Sequence, residues 1–356
     1  FLELCNQLDC EPVICGNLGS GSVQEMSQWV EYLNSNNVSP MTDLRKANGR
    51  EEPWNVKYWG VGNESWGCGG SMTPEYYANE LRRYSTFTKN YGNNRLYKIA
   101  TGPSDSDYNW METLMRDGNP GRSFQGISLH YYTICHDWSK KGSATVFDEK
   151  EYFTTMKKTL FMDELLRKHI TIMDKYDPQN RVGLIVDEWG NWHDVEPGTN
   201  PGFLYQQNTL RDALVASVNL DLFNKYSRRV KMANIAQTVN VLQAMILTKD
   251  DQIVRTPSFY VFKMYKVHHD ATLLPSDIVS ENYSLNNESV PAVSATASKS
   301  ADGKIHVTIS NLNPNKAVDV TCELRGTAKV AFVGGSIVTG EKINSYNDFG
   351  KKEEVT

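Results

Sequence analysis

Two apolar runs in this chain end on pairs of polar and acidic residues, and chemistry can be placed on those pairs. The first, KYWGVGNESWG (57–67), carries a buried-strand pattern straight into Asn63 and Glu64. The second, VGLIVDEWG (182–190), ends in Asp187 and Glu188 beside Trp189. A carboxylate at the end of an apolar strand is partly desolvated, so it is expected to hold its proton more tightly than in water. That suits Glu64 to general acid work, with Glu188 as the partner carboxylate. Two carboxylates roughly 5 to 5.5 Å apart support attack on an anomeric carbon and hydrolysis with retention, whereas roughly 6.5 to 9.5 Å implies inversion. Asp187 is expected to accept a hydrogen bond rather than attack, because strand alternation turns neighbouring side chains to opposite faces.

These acids must be positioned by strands, and six short apolar runs supply them: residues 11–18, 56–62, 97–102, 125–132, 181–187 and 230–238. Between them lie helical patterns at 23–33, 76–90, 149–175, 205–226 and 259–266. Ser22 with Glu25 three residues on has capping-box spacing. Thr73 and Pro74 give a cap and a first-turn proline, and Gly92 is expected to end that helix. Such alternation predicts a parallel sheet. Polar residues close several strands at the carboxyl end: Asn17, Asn63-Glu64, Ser104-Asp105, His130 and Tyr132, Asp187-Glu188 and Gln237. A barrel gathers all such ends on one face, whereas an open sheet spreads them, so the pattern favours a barrel with two strands too few. From residue 271 the texture changes to strand-like runs at 292–297, 304–310, 318–324 and 329–333, an all-β module. The expected domains are therefore a partial barrel over 1–270 and an incomplete β-sandwich over 271–356.

Composition narrows the function classes. The 356 residues carry 37 basic against 42 acidic side chains, a net charge of -5, with 40% hydrophobic content. No basic block offers a footprint for nucleic acid, and no run approaches the roughly 20 apolar residues of a membrane helix. Eight Trp and 18 Tyr concentrate near the polar motifs, as a sugar-stacking cleft would require. The six cysteines show no CxxC spacing and read as free thiols; Cys68, inside GCGG, either lines the pocket or, the expected role, is a buried inert thiol. His268-His269 has no companions at metal-ligand spacing, so no metal and no cofactor are expected.

The motifs GVGNESWGCGG (60–70), SLHYY (128–132), IVDEWGNW (185–192) and MANIAQTVN (232–240), in this order, resemble glycoside hydrolase family 51, the α-L-arabinofuranosidases. The resemblance runs the full length. It implies a (β/α)8 TIM-type barrel, with the six strands as its strands 3 to 8 and strands 1 and 2 missing, followed by an all-β sandwich. It implies a retaining double displacement on terminal α-L-arabinofuranosyl groups of arabinoxylan, arabinan or derived oligosaccharides. Glu64 is then acid/base and Glu188 nucleophile. Asn63 maps to a sugar 2-hydroxyl contact, Tyr132 to a hydrogen bond on the nucleophile and Gln237 to a sugar-binding amide. His130 is expected to serve the site, and Trp66, Trp189 and Trp192 to stack on sugar or to wall the site. The resemblance admits a homo-oligomer and implies a missing N-terminal barrel segment; it leaves cytoplasmic and secreted settings both open. The rival readings are another retaining barrel glycosidase, such as an endoglucanase or β-xylosidase, and a non-catalytic carbohydrate-binding remnant.

Overall fold

The computed structural model describes residues 1–326 and 330–356. In chain order the elements are α1 (Leu2–Leu8), β1 (Val13–Gly16), α2 (Val23–Asn34), α3 (Pro40–Ala47), β2 (Tyr58–Val61), α4 (Pro74–Phe87), β3 (Tyr97–Ala100), α5 (Tyr108–Asp117), β4 (Gly126–Thr133), α6 (Glu149–Tyr176), β5 (Gly183–Asn191), α7 (Leu210–Lys225) and β6 (Val230–Ile235). There follow β7 (Ile246–Lys249), β8 (Gln252–Arg255), α8 (Pro257–Tyr265), β9 (Thr272–Leu274), β10 (Asn282–Leu285), β11 (Glu288–Pro291), β12 (Val293–Lys299) and β13 (Ile305–Asn311). All six predicted strands are present, and they form one parallel sheet in the sequential order β1 to β6. The fold class is α/β, as expected.

The chain divides into two compact units, which it enters and leaves within β4, α6, β5 and β6. The first comprises residues 1–130, 165–187 and 228–233. Its sheet reads as continuous apolar sequence because both faces are covered. Trp59, Val61, Ile99, Ile127, Leu129, Leu184 and Ile185 are all buried there. The helices pack through one apolar side each: Val30 and Leu33 of α2, Tyr77 and Leu81 of α4, and Trp110 and Leu114 of α5. Each such side chain taken fully out of water contributes about 2 kcal/mol. The Ser22–Glu25 capping box forms as predicted. α4 stops at Phe87 with Thr88 as its cap, so Gly92 does not end it. Instead the Thr88 hydroxyl donates back to the Tyr84 carbonyl at 2.9 Å and closes the last turn.

The second unit comprises residues 131–164, 188–227 and 234–356. Here β12 pairs antiparallel with β13 on one side and β9 on the other. The β10–β11 hairpin turns through Asn286 and Asn287, both at positive φ (50° and 66°), the geometry asparagine tolerates in a two-residue turn. The expected runs at 292–297 and 304–310 are β12 and β13. The run at 318–324 is not a strand: its alternating pattern suits a ladder, but among the described residues no strand pairs with it. The run expected at 329–333 begins on a residue outside the described set, and 330–333 carries no strand.

Candidate active site

The predicted site residues fall in two groups, one in each unit. In the first, β2 ends at Val61 and the chain turns sharply. Glu64 sits in this turn at φ 44°, a left-handed conformation that costs a non-glycine residue on the order of 1 kcal/mol or more. The turn holds it there. The amides of Gly67 and Gly69 both donate to the Glu64 carbonyl, at 2.8 and 3.0 Å. A Cβ on Gly69 would stand 1.8 Å from the Asn63 carbonyl oxygen, so only glycine lets the turn close this tightly. The Trp66 indole N–H donates to the Gly102 carbonyl at 3.2 Å and ties the turn to the end of β3. Asn63 is exposed.

His130, near the end of β4, stands between two acids. Its Nδ1 is 2.9 Å from Glu64 Oε1 and its Nε2 is 3.1 Å from Asp187 Oδ1. The imidazole is 4% exposed, against 20% for Glu64 and 12% for Asp187. Its backbone is fixed as well: His130 N donates to the Pro103 carbonyl, and Asp105 N donates to the His130 carbonyl. A further donor reaches Glu64 from its own turn, the Cys68 thiol at 3.2 Å from Oε2. Cys68 is exposed, not the buried inert thiol expected. The expectation of a tightly held proton on Glu64 is also corrected. The His130 hydrogen bond draws the Glu64 carboxyl below its ordinary range; burial opposes this, and the Cys68 bond adds to it.

In the second unit, the Tyr132 hydroxyl donates to Glu188 Oε2 at 2.8 Å. Glu188 is half-buried near the carboxyl end of β5. From Tyr132 an aromatic series runs outward, with Trp192 edge-on at 4.9 Å and Trp138 edge-on to Trp192 at 5.3 Å between ring centroids. Trp138 is 64% exposed. Trp189 does not join it: it is wholly buried, 5.1 Å from Phe223 and stacked on Phe262. Its indole is taken up by Phe223 of α7 and Phe262 of α8, which corrects the expectation that it stacks on sugar. Gln237 is exposed, two residues beyond the end of β6. Sequence reasoning missed Trp138, which no strand pattern marks, and the reach of Cys68 back to Glu64, for which the four-residue spacing within a turn was the available signal.

Beyond Glu188 the strand is clamped. The Asn191 amide donates to Gln243 Oε1 at 2.7 Å, and its side-chain amide donates to Asp212 Oδ1 at 2.7 Å. His193 Nε2 meets the same Asp212 oxygen at 2.9 Å. One trio in this unit, Cys135, His136 and Glu151, has donor atoms within 4.8 Å of one another. Its hydrogen bonds account for it: Glu151 holds His136 with one oxygen and caps α6 through the Asp148 amide with the other. His268 bonds the hydroxyls of Ser298 and Thr308.

Comparison with known proteins fits this arrangement. Residues 1–151 match the profile of the "Alpha-L-arabinofuranosidase 1 domain", and residues 187–356 that of the "Alpha-L-arabinofuranosidase C-terminal domain". An intracellular exo-α-L-arabinofuranosidase of Bacteroides ovatus is 56% identical over 352 residues, covering 99% of this chain and 68% of that protein. The chain belongs to glycoside hydrolase family 51, the α-L-arabinofuranosidases. It is a glycosidase of that family, with the family's α/β barrel strands and all-β segment. The crystal structure of the family 51 arabinofuranosidase from Xanthomonas axonopodis pv. citri superposes with a TM-score of 0.92 at 44% identity, over all of this chain and 71% of that one. The α-L-arabinofuranosidase of Thermotoga maritima, solved with arabinose, gives 0.77 at 26% identity, over all of this chain and 72% of that one. These names do not favour an endoglucanase, a β-xylosidase or a non-catalytic remnant. Among the described residues no helix is long and apolar enough to cross a membrane.

Proposed function

We propose that this family 51 enzyme releases terminal α-L-arabinofuranosyl groups from arabinoxylan- or arabinan-type saccharides by a retaining double displacement, with Glu188 as nucleophile and Glu64 as acid/base. The observation that carries the assignment is the unlike setting of the two acids. Glu188 takes a phenolic hydrogen bond from Tyr132, a partner that orients a carboxylate and has no proton to exchange with it near neutral pH. Glu64 takes a bond from an imidazole, a partner that can exchange a proton with it. In the first step Glu64 protonates the leaving oxygen as Glu188 bonds to the anomeric carbon. In the second, the Glu64 carboxylate takes a proton from water, which displaces Glu188.

Around these two acids the reading assigns Asn63 to the sugar 2-hydroxyl and Gln237 to a sugar-binding amide, since both are exposed beside strand ends. Trp192 and Trp138 form a wall for the remainder of the saccharide, and Trp66 braces the turn that carries Glu64. The Bacteroides relative is named intracellular, which favours a reducing compartment for this chain.

Glu188→Ala tests the assignment. Hydrolysis of an aryl α-L-arabinofuranoside is expected to fall by on the order of 10⁵-fold, the scale reached when an enzyme nucleophile is removed. Azide is expected to restore turnover and to give a glycosyl azide of inverted configuration. Undiminished hydrolysis, or an azide product of retained configuration, contradicts the role of Glu188.

A further inference from the structure

We propose that His130 and Asp187 are positioning residues that store the proton Glu64 delivers, His130 resting as an imidazolium between the two carboxylates and passing its Nδ1 proton to Glu64 as the glycosidic bond breaks. This rests on Glu64 being the acid/base. The argument is one of proton counting. Each ring nitrogen of His130 faces a carboxylate oxygen, at 2.9 Å (Glu64) and 3.1 Å (Asp187). A contact that short between a nitrogen and an oxygen needs a proton between them, because two lone pairs repel. Two contacts therefore need two protons. A neutral imidazole carries one, so with both acids ionised the ring must carry the second. The bond to His130 draws the Glu64 carboxyl below its ordinary range, which leaves that second proton on the ring at rest.

The arrangement answers a difficulty in the site. A general acid must present a proton near neutral pH, yet the bond to His130 draws the Glu64 carboxyl below its ordinary range. Storage on the adjacent imidazole removes the conflict. In the first step the Nδ1–H bond breaks and an O–H bond forms on Glu64. That O–H bond breaks in turn as the leaving oxygen is protonated. His130 is left neutral, with its remaining proton on Nε2 toward Asp187, and Glu64 is a carboxylate. In the second step the proton taken from water by Glu64 returns to Nδ1, so the cycle closes with no net change. Asp187 keeps the ring charged and in register. The Cys68 thiol also bears on this set, donating to Glu64 from the turn after β2, while Asp105 on the loop after β3 meets His130 through backbone, its amide donating to the His130 carbonyl. Glu188 follows Asp187 directly along β5.

The test compares three variants of the full chain on 2,4-dinitrophenyl α-L-arabinofuranoside, whose leaving group needs no proton, and on an arabinosylated xylo-oligosaccharide, whose leaving group does. In kcat/KM, which reports the glycosylation step, Glu64→Ala and His130→Gln are both expected to lose on the order of 10²-fold or more on the oligosaccharide and far less on the aryl glycoside. Asp187→Asn is expected to move the basic limb of the kcat/KM profile down by about one pH unit, because the imidazolium loses its second anion. Equal loss on both substrates in Glu64→Ala overturns the acid/base assignment and this proposal with it. The expected split in Glu64→Ala, with equal loss in His130→Gln or an unmoved limb in Asp187→Asn, overturns the relay alone. Nitrogen-15 NMR of the unaltered protein at pH 7 gives a reading free of folding defects: both His130 nitrogens protonated supports storage on the ring, and one lone-pair nitrogen contradicts it.

Discussion

Two carboxylate–imidazole pairs in this molecule share a separation of 2.9 Å and differ in everything else. Glu64 and His130 lie in the first unit, and His193 and Asp212 in the second. Asp212 is wholly buried and saturated: Oδ1 accepts from Asn191 and contacts His193, and Oδ2 accepts from the Thr209 amide and hydroxyl. Burial opposes its ionisation, but His193, the Arg211 guanidinium and the Thr209 bonds prevail and hold its pKa at about 2. His193 is pushed the other way, by burial and then by Arg211, toward its neutral form. Glu64 instead keeps a fifth of its side chain exposed, and its histidine is shared with a second acid. A saturated pair fixes backbone, here the chain just after Glu188. A shared, half-open pair has a proton with somewhere to go.

This contrast can be broken experimentally. The largest effect belongs to Asp212→Ala, which leaves the Arg211 charge buried without its counter-ion and His193 without its hydrogen-bond partner; about 3–5 kcal/mol of stability is expected to be lost, read from denaturant midpoints. Glu64→Ala, at a half-open position, is expected to change the midpoint far less, and an equal loss would erase the distinction.

A third carboxylate sharpens it. Asp221 on α7 is buried with only hydroxyl partners close by, Tyr265 at 2.7 Å and Ser294 at 2.5 Å, and burial pushes its pKa up to about 7. Because its folded pKa lies above the unfolded value, the stability it confers is full below about pH 4 and is lost as pH rises through 7. Asp221→Asn is therefore expected to stabilise the protein at pH 8 by about 2–3 kcal/mol and to do little at pH 4, as calorimetry at the two values would show. Asp212 has the opposite sign. Its folded pKa is depressed, so about 2 kcal/mol present above pH 4 disappears as pH falls toward 2. Acid titration of Asp212→Asn should lack that component. The smallest effect is that of Cys68→Ala. Losing a weak thiol donor raises the proton affinity of Glu64, so the basic limb of kcat/KM is expected to rise by about 0.3 pH units. A downward shift contradicts the hydrogen bond.

The sheet was legible because buried parallel strands are nearly unbroken apolar runs, and 181–187 or 125–132 have no other reading. The acids at their ends were legible for the same reason. Short helices were not: α3 and α5, of eight and ten residues, carry usable caps, Ser39 with Pro40 and Asp107, but are too short to register beside the strands. The 318–324 segment shows the converse, a strand pattern with no strand partner among the described residues. Within the site, Tyr132 on Glu188 followed from the resemblance, whereas the two-sided grip on His130 did not. It depends on residues 64, 130 and 187 converging, and no local spacing encodes that. Trp189 was misplaced by reading residue type alone, since its indole packs on Phe223 and Phe262 while Asp187, two residues earlier, reaches His130.

The central claim, that Glu188 bonds to the sugar while Glu64 manages protons, is tested most directly by mass spectrometry of Glu64→Ala mixed with 2,4-dinitrophenyl α-L-arabinofuranoside. The activated leaving group departs without help, and the missing base then stalls hydrolysis. A single pentosyl adduct on the peptide containing Glu188 is the predicted result. An adduct on any other residue, or no adduct together with release of arabinose of inverted configuration, would contradict the account.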